Sequence, residues 1–340
     1  MCSLISTSEY TKLCILAGAA TAGFTGLVLF LKRKPMITPS EKQAIFITGC
    51  DSGLGFSLAL FAHKLGLTVF AGCLQSKGTG AEELKEKCKE RFHIIEVDIT
   101  NTMSVSKAVD RVKELINTHN LELKALINNA GIMIFGELEW LTENHIMNQI
   151  NTNLGGTIRI TKYLCPLLRK YNGRIITISS HCALTTLPTL SVYAATKAGI
   201  VAWCDGLRIE LAKYGIPVIV FIPGSFPTQT NIMARQSEYA KEMRQDMTDE
   251  YFNYFGDYFM EYNAYLSCIP TPEKPIPVDD DKLHAKFQDA LLAKYPKQRY
   301  LHEPFRYAFY HFLFKISPSQ LRDYFIQRFM QTPTWKKKYA

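Results

Sequence analysis

Short apolar runs alternate along this sequence with longer segments whose apolar residues recur every three or four positions. The short runs are typical of buried strands, and the longer segments are typical of amphipathic helices. Predicted strands lie at 44–48, 67–74, 92–97, 124–127, 174–180 and 217–222, and predicted helices lie at 82–91, 105–119, 142–171 and 191–214, with another beginning at Phe56. This alternation predicts an α/β fold, a doubly wound parallel sheet with helices on both faces.

The N-terminal segment has a different pattern. Residues 13–31 carry no charge, and at about 1.5 Å per residue they are long enough to span a hydrocarbon core of roughly 30 Å. A basic triplet at 32–34 follows at once, which by the positive-inside rule places the rest of the chain in the cytoplasm. The apolar run is too long for a cleaved signal peptide, and the scarcity of arginine disfavours a mitochondrial transit peptide. We therefore expect an N-terminal transmembrane helix within a membrane anchor at 1–34, followed by a linker at 35–43.

The alternation stops after Thr228. Residues 231–260 are polar and then rich in aromatic residues, which at helical spacing either pack into the core or cover a substrate. A short apolar run at 299–301 predicts a last strand, and 305–330 is aromatic and amphipathic. We expect 231–340 to be an α-helical C-terminal extension that forms a substrate lid and a membrane-associated part.

The composition indicates which class of partner and which cellular compartment to expect. The chain has 340 residues and a net charge of +8, and its basic residues are spread out except at 32–34 and 336–338. Without a basic stripe this charge does not favour a nucleic-acid partner, whereas basic ends suit a membrane surface and its lipid. The nine cysteines form no C-x-x-C pair and no His/Cys cluster at zinc spacing, so we expect reduced thiols and no metal site.

A glycine turn stands between the first predicted strand and the first predicted helix. It reads Gly49-Cys-Asp-Ser-Gly53-Leu-Gly55. Glycines allow a tight turn and a close approach of the backbone to phosphate, and the helix N-terminus supplies free N–H groups and a positive dipole end. Strand, glycine turn and helix in this order predict a dinucleotide site.

Tyr193 and Lys197 lie four residues apart in a predicted helix, which places both side chains on one face. A positive charge near a phenol lowers its pKa from about 10, so the pair predicts a proton donor and acceptor. Ser180 ends the predicted strand at 174–180, where catalytic groups of open α/β sheets collect. One Tyr-x-x-x-Lys arises by chance, and its meaning depends on the other motifs.

Together these motifs resemble the short-chain dehydrogenases/reductases over about residues 41–230. The resemblance implies a single Rossmann-like domain with a dinucleotide-binding catalytic core at 44–230 and NAD(P)-dependent oxidoreductase activity on CH–OH groups. The glycine turn and the tail are similar to the branch that holds type 2 17β-hydroxysteroid dehydrogenase, retinol dehydrogenases and 3-hydroxybutyrate dehydrogenase. The matching pieces are residues 48–55, Asp98, 128–131, Asn153, Ser180, Tyr193 with Lys197, and Pro223-Gly224 with Thr228.

The resemblance also implies roles for single residues. Tyr193 would be the general acid/base, Lys197 would lower its pKa and bind the nicotinamide ribose, Ser180 would hold the substrate oxygen, and Asn153 would position a relay water. Asn153 is alternatively a cap or bend residue, and Asp98 a turn residue. The residues implied in cofactor binding are Gly49, Ser52, Gly53, Leu54 and Gly55 at the pyrophosphate, Asp98 at the adenine, Thr228 at the carboxamide, and also Asn129, Ala130, Gly131, Tyr193, Lys197 and Pro223.

The choice between NAD and NADP depends on the end of the second strand. An acid there selects NAD by bonding the ribose 2′-hydroxyl, but residues 73–77 read Cys-Leu-Gln-Ser-Lys, with one cation and no carboxylate. The resemblance favours NAD, and Lys77 leaves NADP open.

For the substrate, the resemblance implies an apolar alcohol or ketone. A steroid (a 17β-hydroxysteroid or ecdysteroid precursor) comes first, retinol second and 3-hydroxybutyrate third. A dinucleotide-binding scaffold without catalysis is the alternative of another class, although Tyr193, Lys197 and Ser180 are intact. The last four residues, 337–340, resemble a dilysine retrieval signal, so we expect a single-pass protein of the endoplasmic reticulum membrane with a cytosolic catalytic domain. A homodimer through the helices at 142–171 and 191–214 is implied by the family.

Overall fold

A computed structural model of the protein describes residues 35–333 and Trp335. The predicted anchor at 13–31 and the tail signal at 337–340 lie outside these residues. Within the described residues, no helix has both the length and the apolar character needed to cross a bilayer.

Seven parallel strands form one sheet in the order β3-β2-β1-β4-β5-β6-β7. This confirms the predicted doubly wound α/β fold, including the short last strand. The order reverses between β1 and β4, and ligands of such sheets bind at the carboxyl ends of the strands beside this switch point. The strands are β1 (Gln43–Thr48), β2 (Thr68–Cys73), β3 (Phe92–Glu96), β4 (Glu122–Asn128), β5 (Arg174–Ile178), β6 (Val218–Ile222) and β7 (Arg299–Leu301).

Helices cover both faces of the sheet and continue beyond it. In the described chain they are α1 (Gly53–Lys64), α2 (Thr79–Lys87), α3 (Thr102–His119), α4 (Glu143–Gln149), α5 (Thr157–Lys170), α6 (Ser191–Ala212), α7 (Gln236–Asp246), α8 (Asp249–Ser267), α9 (Asp281–Leu292), α10 (Phe305–Ile316) and α11 (Ser319–Met330).

Strand side chains alternate between two hydrophobic layers. On β1, Ala44 and Phe46 point into a layer closed by α3, α5 and α6, whereas Ile45 and Ile47 point into a layer closed by α1, α2 and α9. All four side chains are fully buried. Burial on both faces explains why the strands read as continuous apolar runs rather than as alternating ones.

Two predicted segments differ in detail from the structure. The helix predicted at 142–171 consists of α4 and α5 joined by a π-helical turn, Ile150–Gly156. Gly156 in this turn lies against Ile99, where a Cβ atom would come within 2.7 Å of Cγ1. The predicted linker at 35–43 is partly attached to α9: the Ile37 N–H donates to the Leu292 carbonyl at 2.7 Å, and the Lys294 N–H donates to the Pro35 carbonyl at 2.8 Å.

The C-terminal part is helical, as predicted, and adds separate small cores. Trp140, in the loop after β4, packs against rings of α8 with centroid distances of 5.2 Å to Phe259 and 5.7 Å to Tyr262. Both rings are buried, so much of the aromatic pattern at 251–262 is core packing. Helices α10 and α11 pack on each other through Phe314, Ile326 and Phe329.

Candidate active site

The glycine turn leads from β1 into α1. Gly49 and Gly53 have φ angles of +70° and +59°, which favour glycine. Ser52 is the N-cap of α1 and does not use its side chain for capping, and the Phe56 N–H is bonded to the Ser52 carbonyl. The amides of Gly53, Leu54 and Gly55 therefore belong to the first turn, whose N–H groups have no partner within a helix. The turn fits a dinucleotide pyrophosphate.

The segment after β4 lies directly on this turn. The Asn129 side chain donates to the Thr48 carbonyl at 2.9 Å and to the Gly49 carbonyl at 3.1 Å. The Thr48 hydroxyl accepts hydrogen bonds from the Asn129 and Ala130 N–H groups, both at 3.0 Å. A Cβ atom on Gly49 would lie 2.8 Å from the Ala130 Cα, so only glycine fits there. The glycine turn and the segment after β4, two separate sequence motifs, thus pack together as one rigid unit.

The segment after β6 reaches the same cleft. Pro223 is buried at the end of β6, and Thr228 lies exposed on a turn at 227–229. Thr230 of this segment lies close to the glycine turn, since a Cβ built on Gly53 would lie 3.1 Å from the Thr230 Cβ. The structure therefore brings this segment to the glycine turn, and a contact of Thr228 with the cofactor remains a prediction.

Asp98 follows β3 at the same edge of the sheet. One of its carboxylate oxygens accepts hydrogen bonds from the Thr100 N–H at 2.8 Å and the Thr100 hydroxyl at 2.7 Å. This is the turn geometry considered as the alternative for Asp98. It leaves the second carboxylate oxygen available, so the adenine role also remains a prediction.

Two carboxylates, Asp51 and Glu96, contact the backbone that follows β2, where the sequence analysis found none. Asp51 accepts hydrogen bonds from the Leu74 N–H at 2.9 Å and the Gln75 N–H at 3.2 Å. Glu96 accepts hydrogen bonds from the Ser76 N–H at 3.2 Å and from the Ser76 hydroxyl. Residues 73–77 themselves carry no carboxylate, but two carboxylates from other segments lie at the end of β2. Asp51 comes from the glycine turn and Glu96 from β3, which pairs with β2 there.

Ser180 and Tyr193 meet beyond the end of β5. Ser180 caps a short 3₁₀ turn, His181–Ala183, by accepting a hydrogen bond from the Cys182 N–H at 3.1 Å. A hydrogen bond also joins the Ser180 and Tyr193 side chains. Tyr193 is only 6% exposed, in a small cluster with Cys182 and Leu190.

The pKa of Tyr193 moves opposite to the expectation. Burial raises it above the usual 10, the Cys182 thiol raises it further, and the hydrogen bond with Ser180 lowers it by less. Lys197 lies with Nζ 5.7 Å from the centre of the Tyr193 ring. In the protein chain alone the net shift of the Tyr193 pKa is therefore upward, because burial disfavours the phenolate, and a lowering by Lys197 remains a prediction.

Lys197 is itself buried one helical turn further along α6. Its Nζ donates to the Ile178 carbonyl at 3.2 Å, and it lies 3.4 Å from where a Cβ of Gly131 would be. Burial lowers the pKa of Lys197 from 10.5 to about 8. Gly131 leaves the space in which this ammonium group lies.

Asn153 occupies the π-helical turn and is fully buried. Its side-chain oxygen accepts from the Ile132 N–H at 2.8 Å, and its amide nitrogen donates to the Ile132 carbonyl at 2.9 Å and to the Thr196 hydroxyl at 3.1 Å. Thr196 in turn donates to the Tyr193 carbonyl at 2.7 Å. Asn153 thus connects the segment after β4 to the helix that carries Tyr193, and its water-binding role remains a prediction.

Apolar side chains surround the Tyr193 side of the site. Met133, Phe135 and Leu187 pack on the cluster that contains Tyr193, and Met133, Phe135 and Val192 also pack on the aromatic cluster around Trp140. The cluster that contains Tyr193 is therefore bordered by apolar groups from several elements.

Polar contacts also hold α7 against the region around Tyr193. The Gln236 side chain accepts from the Phe135 N–H at 3.1 Å and donates to the Phe135 carbonyl at 2.9 Å. The buried His145 ring lies 2.6 Å from a carboxylate oxygen of Glu242. Sequence reasoning missed these residues because their partners lie far away along the chain.

Helix α8 contacts the same region through Thr189, which lies in the loop before Tyr193. Thr189 has a φ of +61°, which is unusual for a β-branched residue, and the Tyr262 hydroxyl is 2.6 Å from its hydroxyl. Such strain persists only where the surroundings hold it and is most frequent at functional sites. The loop that leads into α6, the helix of Tyr193, is thus held by the C-terminal part.

Comparison with known proteins identifies what this arrangement is similar to. The family model described as short chain dehydrogenase matches residues 43–239. Estradiol 17-beta-dehydrogenase 2 of Rattus norvegicus is 34% identical over 298 residues, covering 86% of this chain and 76% of that protein. Retinol dehydrogenase 7 of Mus musculus is 32% identical, covering 83% of this chain and 87% of that protein.

Mitochondrial D-beta-hydroxybutyrate dehydrogenase of Mus musculus is 39% identical over a shorter stretch, covering 66% of this chain and 67% of that protein. Among solved structures, a short-chain dehydrogenase from Streptomyces avermitilis superposes with a TM-score of 0.59 at 22% identity, covering 77% of this chain and 88% of that one. At this identity the structural match supports the fold alone.

Proposed function

This chain belongs to the short-chain dehydrogenase family and is an oxidoreductase acting on CH–OH groups, and from this premise we propose that it interconverts a hydroxyl and a carbonyl group on an apolar substrate, a steroid in the first place. The family binds a nicotinamide dinucleotide. The observation that carries the proposal is the buried pair Tyr193 and Lys197, with the half-buried Ser180 beside Tyr193 and apolar side chains around the tyrosine.

In this proposal each polar side chain has one task. Bound NAD supplies the acceptor for the hydride that leaves the alcohol carbon. The phenolate oxygen of Tyr193 takes the hydroxyl proton, and the Ser180 hydroxyl donates to the substrate oxygen. The Lys197 ammonium favours the phenolate, and Asn153 keeps the Ile132 backbone and Thr196 in place beside it.

Tyr193 works as a base only when deprotonated, and burial raises its pKa. The pH dependence of oxidation therefore has a defined sign: kcat/KM for oxidation should rise with pH, since this ratio reports the free enzyme's ionisations. For carbonyl reduction the same residue must be protonated, so the reductive rate should be flat over the neutral range. A decreasing oxidative rate between pH 6 and 8 would contradict Tyr193 as the base.

Apolar walls favour a steroid or a retinoid over a small hydroxy acid. Met133, Phe135, Leu187 and Val192 offer area for a rigid ring system, which gains about 25 cal/mol per Å² of buried apolar surface. A small carboxylate would gain little there. Retinol is the second candidate, because a retinol dehydrogenase is among the similar proteins. 3-Hydroxybutyrate is the third.

We further propose NAD rather than NADP. The donors that follow β2, which could bind a 2′-phosphate, already donate to Asp51 and Glu96. Two carboxylates near Leu74–Ser76 would also repel a phosphate dianion, and Lys77 offers one compensating charge. Glu96→Gln should lower the NAD/NADP ratio of kcat/KM by about tenfold, equivalent to about 1.4 kcal/mol. An unchanged ratio would contradict this assignment.

For the compartment, we propose the cytosolic face of the endoplasmic reticulum membrane. The support comes from the sequence of the two ends and from α10, whose Phe305, Phe309, Phe312 and Ile316 lie at helical spacing and are 52–87% exposed. Such a face suits lipid beside an anchor and a substrate arriving from the bilayer. If a chain without residues 1–34 left the membrane fraction completely, lipid contact by α10 would be contradicted.

A homodimer remains part of the proposal. Exposed apolar residues on α4 and α6, Met147 at 43% and Ile209 at 70%, suit an interface between copies. Chemical cross-linking in membranes, compared between wild type and Ile209→Glu, tests it. An unchanged cross-linked yield would remove these helices from the interface.

The decisive experiment measures turnover in membrane fractions with steroids, retinol and 3-hydroxybutyrate, each with NAD and NADP. Wild type is compared with Tyr193→Phe, which should lose roughly 10²–10⁴-fold in kcat while still binding dinucleotide. Tyr295→Phe, at a residue 74% exposed, is the matched control and should behave as wild type.

Tyrosine-dependent oxidation of one substrate class would establish that class and the cofactor together. Turnover that survives in Tyr193→Phe would contradict the assigned base. Dinucleotide binding without turnover of any substrate in the panel would contradict the three substrate classes and favour the non-catalytic scaffold.

A further inference from the structure

Three potential metal ligands from distant parts of the chain meet beside the catalytic serine. His181 directly follows Ser180, Glu303 lies just beyond β7, and His311 is on α10. Their ligand atoms all lie within 4.8 Å of one another. A Glu303 carboxylate oxygen, Oε1, lies 2.8 Å from His311 Nδ1 and 3.7 Å from His181 Nδ1. Both imidazoles thus direct Nδ1 toward one carboxylate oxygen, and His311 Nδ1–H donates a hydrogen bond to it, with a proton that an ion bound there would displace.

The tautomer of His181 leaves its Nδ1 free to act as a ligand. The Nε2–H donates to the His302 carbonyl at 3.0 Å, which places the proton on Nε2 and the lone pair on Nδ1. Nδ1 is buried and has no hydrogen-bond partner, although the residue is only 6% exposed. An unpartnered buried nitrogen is costly unless something binds it. Metal-binding histidines typically donate their other N–H to a carbonyl in this way.

The separations fit a small tetrahedral ion. With bonds of about 2.0–2.2 Å, two ligands of tetrahedral zinc lie roughly 3.4 Å apart. The observed 2.8 and 3.7 Å lie on either side of this value, so small side-chain rotations would bring the atoms to the required separation. We propose that His181, Glu303 and His311 bind one divalent transition-metal ion of the zinc class, with water as the fourth ligand.

Access to the cluster comes from a groove of about 940 Å³ between the loop at 184–186 and helices α10 and α11. Glu303 and His311 are among its lining residues, so an ion and its water can reach them. Such an ion joins α10 to the turn capped by Ser180 and thereby ties the C-terminal helices to the catalytic region. The site is structural and takes no part in the hydride transfer itself.

Cobalt provides the probe, because four-coordinate Co²⁺ absorbs visible light and replaces zinc at such sites. The full chain, purified without a histidine tag in detergent, is treated with chelator and titrated with Co²⁺ alone. One ion per chain with visible bands, displaced by Zn²⁺, is the expected result. Coordination by cysteine thiolates at another place would show as additional near-ultraviolet bands and would contradict the assignment.

Matched variants then identify the ligands. His181→Gln keeps a nitrogen near the Nε2 position for the His302 carbonyl but removes Nδ1, and Glu303→Gln and His311→Gln each remove one ligand. Loss of an outer-shell partner alone weakens metal binding by about 10–100-fold, so each variant should weaken Co²⁺ binding at least that much. His119→Gln, from the other close imidazole pair, is the control and should bind as wild type.

The apparent Tm is a second measurement that tests the inference even where a variant is unstable. Zn²⁺ should raise the apparent Tm of the wild type and of His119→Gln, and should leave that of Glu303→Gln unchanged. No bound Co²⁺ in the wild type would overturn the inference, as would equal binding in the three variants. The three residues would then be a hydrogen-bonded polar cluster without an ion.

Discussion

The α/β region at 43–230 and the C-terminal part at 231–333 both border the active site, but they are held by different forces. In the α/β region, polar side chains such as the half-buried Asn129 and the buried Asn153 bond to backbone groups of neighbouring segments. In the C-terminal part, rings pack around Trp140 and a few polar contacts fasten them. Hydrogen bonds are directional and fix atoms to within tenths of an ångström, whereas ring packing tolerates changes of shape. We therefore expect the common chemistry to depend on the first region and substrate choice to depend on the second.

The largest effect is expected from Gly55→Ala in the α/β region. Its Cβ would collide with the Gly49 carbonyl and the Asn129 amide, both of which belong to rigid backbone or bonded groups. We expect loss of dinucleotide binding and destabilisation of several kcal/mol, roughly 3 or more. Urea unfolding and dinucleotide titration measure both quantities. Gly206→Ala, at an exposed position of α6 where a Cβ meets nothing within 4 Å, is the control and should gain up to about 1 kcal/mol.

Trp140→Ala, in the loop after β4, tests how the C-terminal part packs on the α/β region. Removing this buried ring leaves a cavity among Phe255, Phe259 and Tyr262 and should cost about 3–5 kcal/mol. The glycine turn and the segment after β4, which we expect to bind the dinucleotide, do not depend on this ring. Dinucleotide affinity should therefore change little while KM for the substrate rises. Leu138→Ala, 65% exposed in the same loop, should stay within about 0.5 kcal/mol. Equal loss of dinucleotide affinity and substrate affinity would contradict the division between the regions.

Lys197→Met should raise the free energy of unfolding, whereas the two preceding substitutions should lower it. A pKa lowered from 10.5 to about 8 means that the unfolded chain binds this proton more tightly than the folded one, which costs on the order of 3 kcal/mol at neutral pH. Methionine removes this cost but loses the hydrogen bond to the Ile178 carbonyl, worth about 1 kcal/mol. We expect a net gain of about 2 kcal/mol with activity abolished.

The pH dependence of this gain has a defined window. It should be fully present below about pH 8, should decline as pH rises, and should disappear above 10.5, where lysine is neutral in both states. Thermal unfolding at pH 7 and pH 10 measures it. Lys162→Met on exposed α5 is the control and should show no such pH dependence. A loss of stability at pH 7 would contradict the lowered pKa.

The smallest effect is expected from Tyr262→Phe. It removes the hydroxyl that contacts Thr189 and should cost about 1 kcal/mol. The freed loop leads into the helix of Tyr193, so we expect a raised KM for the substrate with unchanged dinucleotide affinity. Tyr254→Phe, 69% exposed on the same helix, is the control. Unchanged substrate kinetics in Tyr262→Phe would show that this contact supports packing alone.

Local sequence determined much of this protein. The seven strands, the glycine turn and the face shared by Tyr193 and Lys197 were predicted, because each depends on residues a few positions apart. The motif residues Gly49, Ala130, Asn153 and Ser180 could likewise be located before their contacts were known. Their individual roles remain predictions.

Tertiary structure decided the remainder. Asp51 and Glu96 reach the end of β2 only because β1 and β3 pair with it, and the Tyr193 pKa rises because distant residues exclude water from the phenol. Likewise His181, Glu303 and His311 meet only once β7 and α10 have packed. The physical reason is the same in each case: periodicity and turn chemistry act over a few residues, whereas burial and long-range contacts depend on strand order and helix packing.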